Sequence, residues 1–549
     1  MLTGSLSPLA PAAILLLGAF ILSVVVPRLP LRWQQHPGVR SYSVLTLIGM
    51  AGVSLLFIRI ASGNEPAAQV ISSWNFGMAQ PVISLTLQID TFNLAFFMIV
   101  LLMLLLVALL RFEHISVSGQ AEDRVRTAGW LFLGAGTCLL LSAADSLALA
   151  YVGVAFDTVA VIFGLRLDPR YRAIGAARIF LGVLTTAAIL MAGLAAPAGL
   201  FLLGLALWLR LGLMPLLEAA TLAGWPLNER LVYQGLTLTG GIYLALRVMN
   251  EPLPELVRWL IVAIMLLAGL LSWLTSSDES EAGAPSQFRS KILGWLVLAE
   301  ALLLLLAGPL PSGALVAFAT GLLLSWLILS ITPLPGLPGK PEQAWFWPYL
   351  PAALATLTLI GVPFSLGWLA KVSIYASLLT TSNLALLLLA LAAEILGLSG
   401  LIRYWLTMVM RGYARDSRWL HVGVLAITPW LVPGVAPFIL FYLTGLNLSI
   451  SSTPPSGAAI VILVAILIIA LIIGYRRQMM IAQFDLPAGW LERQAYLLGL
   501  FGLGQRLFDG VSRGLLRWRV ITEGQHYLGW AIFSALIGSL IILLSSASR

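Results

Sequence analysis

The sequence predicts an all-α polytopic membrane protein of about sixteen transmembrane helices. Three observations predict it. The 549-residue chain is 60% hydrophobic and only 10% charged, a balance that soluble domains do not have. Sixteen apolar runs reach the roughly 20 residues that cross a bilayer. The basic residues gather in every second loop between those runs.

Taken in order, the runs fall at 9–27, 41–61, 90–110, 127–143, 145–165, 176–195, 198–217, 229–249, 255–275, 290–309, 313–332, 347–379, 384–409, 419–445, 456–475 and 526–546. The run 347–379 is long and interrupted at Pro363. Inside hydrocarbon every backbone polar group must be satisfied within the protein, so each run is expected to be a helix. With the N-terminus outside, the cytoplasmic loops receive Arg28, Arg32 and Arg40, then Arg111, Arg124 and Arg126, then Arg166, Arg170, Arg172 and Arg178. The same bias continues to Arg476, Arg477 and Arg493. An even span count follows, with both termini on the non-cytoplasmic side of a cell inner, energy-transducing membrane. The net charge of +8 is therefore a topology signal, and no nucleic-acid partner is expected. The bilayer itself is one expected partner.

Much chemistry is excluded. Cys138 is the only cysteine, so this chain alone holds no disulfide, thiolate metal site or iron–sulfur cluster. His36, His114, His421 and His526 lie at or near loops and suggest neither a haem pair nor a zinc site. There is no phosphate loop, nucleotide fingerprint or catalytic triad. No catalytic residue, cofactor or metal is expected.

The informative residues are the charges left in the apolar runs. Leu203–Glu218, LGLALWLRLGLMPLLE, carries Arg210 at its centre and Pro215 five residues on. An arginine there costs roughly 2.5–3.5 kcal/mol on insertion scales and must face a protein interior or a wet cavity. A proline breaks the helical ladder and frees a carbonyl. This can be an ion path, or an arginine paired structurally to a carboxylate or headgroup. The other candidates for buried ionisable residues are Asp157, Glu218, Glu300, Lys371 and Glu394. Glu300 and Lys371 suit a buried pair, since each alone would be desolvated without compensation. Such pairs can serve a half-channel or simply hold the bundle together. Near the C-terminus, Leu486–Arg519 sets apolar residues at helical spacing with Arg493, Arg506, Arg513 and Arg517 between them. That pattern suits an amphipathic helix along the interface, or a juxtamembrane linker with basic anchors.

Several stretches resemble one family, the antiporter-like membrane subunits of respiratory complex I and their relatives in Mrp antiporters and membrane-bound hydrogenases. They are Leu87–Leu102 (LQIDTFNLAFFMIVLL), Ala144–Ala155 (ADSLALAYVGVA), Leu209–Ala220 (LRLGLMPLLEAA), Thr237–Val248 (TLTGGIYLALRV) and Gly361–Tyr375 (GVPFSLGWLAKVSIY). The ending resembles the longest member type, which has a lateral helix and a sixteenth span. The resemblance implies two inverted five-helix repeats, each with a broken helix, at Pro215 and Pro363. The division would be helices 1–3 in 1–126, the first repeat (helices 4–8) in 127–250 and the second (helices 9–13) in 251–410. Helices 14–15 would occupy 411–485, and the lateral segment with the last span 486–549. It also implies partner membrane subunits in a hetero-oligomeric complex, and proton transfer coupled to quinone chemistry done elsewhere in it.

The chain departs from the family's charged axis. The fifth-span glutamate place is Ala155, with Asp157 about 200° further round the helix. The seventh-span lysine place is Arg210, which stays charged where a lysine can deprotonate. The eighth-span histidine place is Tyr233, and the eleventh-span titratable places fall near Gly321 and Ser325. Lys371 keeps the twelfth-span lysine, with Glu300 and Glu394 in neighbouring spans. The expected function is an antiporter-like subunit of a complex-I-related NADH/quinone oxidoreductase-type assembly that contributes to redox-coupled proton translocation. Alternatives are a non-pumping scaffold subunit, or a subunit of a Mrp antiporter, a membrane-bound hydrogenase or an inorganic-carbon uptake complex.

Overall fold

The computed structural model describes residues 7–25, 28, 37–62, 67–74, 83–114, 253, 255–274, 285–308, 310–331, 350–381, 383–410, 428–444 and 454–484, and single positions within 132–139 and 235–243. Among these, α1 is Ala10–Phe20, continued by a π-helical turn Ile21–Val25, and α2 is Pro37–Ser62. Then come β1 (Ala67–Trp74) and β2 (Ile83–Ile89), followed by α3 (Thr91–His114). The second series is α4 (Glu255–Leu274), α5 (Pro285–Ala307) and α6 (Ser312–Ile331). After it come α7 (Leu350–Ile360), α8 (Leu366–Thr381) and α9 (Leu384–Met410). A 3₁₀ turn at Thr428–Leu431, α10 (Val435–Thr444) and α11 (Pro454–Phe484) complete the described chain. All these helices belong to one compact unit, Met1–Gln69, Gln88–Ala143 and Leu207–Glu492.

The structure is essentially helical, with one addition to the all-α expectation. β1 and β2 pair as a two-stranded sheet between α2 and α3. The signal for β2 is present in the sequence. Ile83, Leu85, Leu87 and Ile89 alternate with Ser84, Thr86 and Gln88, the period of a strand. A hydropathy window of about 20 residues averages that alternation away.

Four described helices are long and apolar enough to cross a membrane, within α4, α6, α9 and α11. Their outward faces are apolar too. Leu256 and Leu260 on α4, and Val461, Ile468, Leu471 and Ile472 on α11, are exposed. A helix hydrophobic all round is a membrane span or a deeply buried helix, and exposure here selects the first. Burial sorts the helices: 89% of the apolar span of α6 is buried, against 28% in α11. Thus α6 lies near the bundle centre and α11 at its edge. Two of the apolar runs are not continuous helices. The run 347–379 divides into α7 and α8. In the run 419–445 the described part is a 3₁₀ turn and the ten-residue α10. Pro429, Pro433 and Pro437 remove backbone donors there, and Gly434 takes φ +80°.

Candidate functional site

The α7–α8 break is built from local rules. Gly361 ends α7 at φ +84°, a conformation only glycine adopts freely. Its N–H donates to Thr358 O and that of Val362 to Leu357 O, the paired bonds of a Schellman ending. Pro363 follows and cannot continue the helix. Ser365 then caps α8, its Oγ accepting from Trp368 N at 3.1 Å. Phe364 between them sits at φ +67°, which costs a non-glycine residue roughly 1–2 kcal/mol. Its carbonyl accepts from Gly434 N at 2.8 Å, so the second irregular segment braces the first. The two half-helices also need two glycines. A Cβ on Gly367 would lie 1.7 Å from Thr358 O. One on Gly321 of α6 would lie 3.2 Å from Thr358 Cγ2 and 3.3 Å from Leu366 Cβ. The space beside Gly321 is filled by the break itself.

Lys371 lies on α8, one and a half turns beyond the break. It is 2% exposed, and its Nζ donates to Glu300 Oε1 at 2.8 Å and to Glu394 Oε1 at 2.6 Å; both carboxylates are 3% exposed. Three helices converge on one ammonium. The geometry follows from helix register. Lys371 stands ten residues before the end of α8, and Glu394 ten residues after the start of α9. Only two residues separate these helices, so they run antiparallel and both groups reach about 15 Å from the connection. That is near the middle of a roughly 30 Å hydrocarbon core. Glu300 comes from α5. Ser377 Oγ donates to Ala307 O at 2.8 Å, so both contacts advance together and α5 runs parallel to α8. Glu300 is about 10.5 Å before its anchor and Lys371 about 9 Å before its own, a match in depth.

Glu394 is also fixed from behind. A Cβ on Gly269 of α4 would lie 2.2 Å from Ala393 O, and one on Gly400 would lie 2.5 Å from Ser272 Oγ. Small residues let these backbones touch, as packing in lipid requires. Several buried polar side-chain atoms have no hydrogen-bond partner among the described residues: Glu394 Oε2 in the triad itself, and Tyr375 Oη, Ser325 Oγ, Thr320 Oγ1 and Trp273 Nε1. Tyr375 is fully buried and four residues from Lys371, hence on the same face of α8. The arrangement can hold a proton or pass one by short hops.

Two stretches that carry the family resemblance meet in a second polar cluster. Asp90 Oδ1 caps α3 by accepting from Asn93 N at 2.7 Å. Asn93 Nδ2 donates to Gln88 O at 2.6 Å, and Tyr243 Oη donates to Asn93 Oδ1 at 3.0 Å. Phe96 meets the Tyr243 ring edge-on, with centroids 5.1 Å apart. Asn93 and Tyr243 are buried at 0% and 1% exposure. The sequence reading missed this link; a lone Asn inside a Leu- and Phe-rich run was the available signal.

Of the candidate residues, Glu300, Lys371 and Glu394 come together, and Pro363 lies in the helix break. Asp157, Arg210, Pro215 and Glu218 lie outside the described residues, as do Ala155, Tyr233, the lateral segment Leu486–Arg519 and the last span. Among the described residues no group of three or more His, Cys, Asp or Glu could hold a metal ion.

No family model matches the sequence, and no curated protein matches it significantly. Solved structures do. The fold matches a chain of the Mrp complex from Dietzia sp. DQ12-45-1b with TM-score 0.63 and 17% identity, over 97% of this chain. This chain spans 63% of that one. It matches a chain of the membrane-bound sulfane sulfur reductase, an archaeal respiratory membrane complex, with TM-score 0.58 and 15% identity, over 98% and 99% of the two chains. It matches a chain of respiratory complex I from Thermus thermophilus with TM-score 0.55 and 19% identity, over 80% of this chain and all of that one. The fold is the one shared with these chains of three membrane complexes.

Proposed function

We propose that this chain is a membrane subunit of a complex-I-related, redox-driven assembly and contributes to its proton translocation. The observation that carries the reading is Lys371, buried beside a helix break and held by carboxylates from two other helices. Burying three ionisable groups is expensive in a span, and such groups by default mark an ion or proton path. Helix breaks at membrane depth are tolerated where they adjoin protein or a wet cavity, which suits the same role. The length match favours a respiratory assembly. The chain covers 99% of the archaeal respiratory chain and only 63% of the Mrp chain. Its partners would then be further membrane subunits, with electron transfer done by other chains.

The test is Lys371→Met in the assembled complex, reconstituted in vesicles. Proton uptake per electron transferred is expected to fall by about tenfold or more, a floor set below the roughly 10²–10⁴-fold that a positioned proton-transfer group contributes. Unchanged uptake by an intact complex refutes the reading and leaves a scaffold subunit.

A further inference from the structure

We propose that Glu300 and Glu394 together hold one shared, exchangeable proton, while Lys371 stays an ammonium that positions them. This rests on the translocation reading above for its purpose, and on separate observations for its chemistry. The first is charge. One ammonium and two carboxylates, all ionised, leave a net charge of −1 at a site only 2–3% exposed. No other Asp, Glu, Lys, Arg or His is buried among the described residues, so nothing described nearby cancels it. An uncompensated buried charge is the costly state, and one proton removes it.

The second is hydrogen bonding. Each carboxylate gives one oxygen to Lys371 Nζ. Glu394 Oε2 is buried and has no partner among the described residues. An ionised carboxyl is acceptor-only, and a buried acceptor without a donor is unfavourable; once protonated, the same oxygen is a neutral donor. Tyr375 Oη, also buried and unpartnered, lies on the Lys371 face of α8 and marks the same side as polar.

The third is the carrier. Lys371 Nζ bonds both carboxylates at once, so giving up its proton would leave two buried anions facing a neutral amine. Moving the proton between the carboxyls leaves the triad neutral throughout. Uptake forms one O–H bond on the pair, release breaks it, and no other bond changes. A metal cation fits less well, because an ammonium already occupies the space between the carboxylates.

Two measurements on the whole complex test this. Infrared spectra with isotopically labelled glutamate should show a protonated carboxyl that disappears in both Glu300→Gln and Glu394→Gln. Difference spectra containing only ionised-carboxylate bands overturn the proposal, whatever the variants do in transport. In vesicles, Lys371→Met should lose about tenfold or more of translocation, and Lys371→Arg, which holds the charge but does not release a proton, should recover part of that loss. Loss of translocation in Lys371→Arg, with the carboxyl band also absent, assigns the proton to the lysine. A band present with translocation untouched by Lys371→Met keeps the shared proton and refutes the translocation reading. A band absent with translocation dependent on Lys371 does the reverse.

Discussion

The triad fixes a pattern of stability that simple counting of hydrogen bonds does not give. Consider Glu300→Gln, Glu394→Gln and the double variant. With one proton on the carboxyl pair, the native site is neutral. Either single change removes the shared proton and one carboxylate together, leaving Lys371 paired with the remaining one, 2.8 or 2.6 Å away. The charge stays balanced and a glutamine oxygen still accepts from Nζ. Each single change should therefore cost only about 1 kcal/mol, the worth of one exchanged hydrogen bond. The double change leaves an ammonium 2% exposed with no counter-charge. Removing the partner of a buried charge costs about 3–5 kcal/mol. The double variant should thus exceed the sum of the singles by about 1–3 kcal/mol, the coupling expected of residues sharing one network. Lys371→Met added to the double removes the stranded charge and should recover most of the loss. The assay is equilibrium unfolding of the four variants in mixed micelles. Additive losses, or a single variant as costly as the double, would refute the neutral triad.

Three further outcomes follow from the surrounding structure. Gly367→Ala places a methyl 1.7 Å from the Thr358 carbonyl, which is backbone and cannot rotate away; unfolding should show a loss of at least about 1–3 kcal/mol. Ser365→Ala removes the cap of α8 and should cost about 1 kcal/mol in the same assay. Tyr243→Phe keeps the edge-on contact with Phe96 but deletes the donor to Asn93 Oδ1, and should cost about 1 kcal/mol without changing proton uptake in vesicles.

Much of the helical plan was legible because hydropathy is a sum of local transfer energies. Described helices α2 to α9 start and end within a few residues of the apolar runs. Pro363 announced the break between α7 and α8 because a missing backbone donor is a local fact. The hairpin β1–β2 and the breaking of the run 419–445 were less legible. In the first, alternation is hidden by averaging. In the second, three prolines outweigh an apolar composition.

Residue order alone settles that this is a membrane protein with a few ionisable side chains inside its apolar runs. It also brought Lys371 and Glu394 to one depth, since a short turn with ten residues on either side does so whatever surrounds it. It takes the packing of the helices to bring in Glu300, 71 residues away along the chain, as the third member of the site. That choice depends on how far α5 is rotated and slid against α8. Depth is set by the Ser377 hydroxyl on Ala307, and close backbone approaches such as Gly269 to Ala393 seat the neighbouring helices. Such contacts join residues distant in sequence, and transfer energies added one residue at a time carry no record of them.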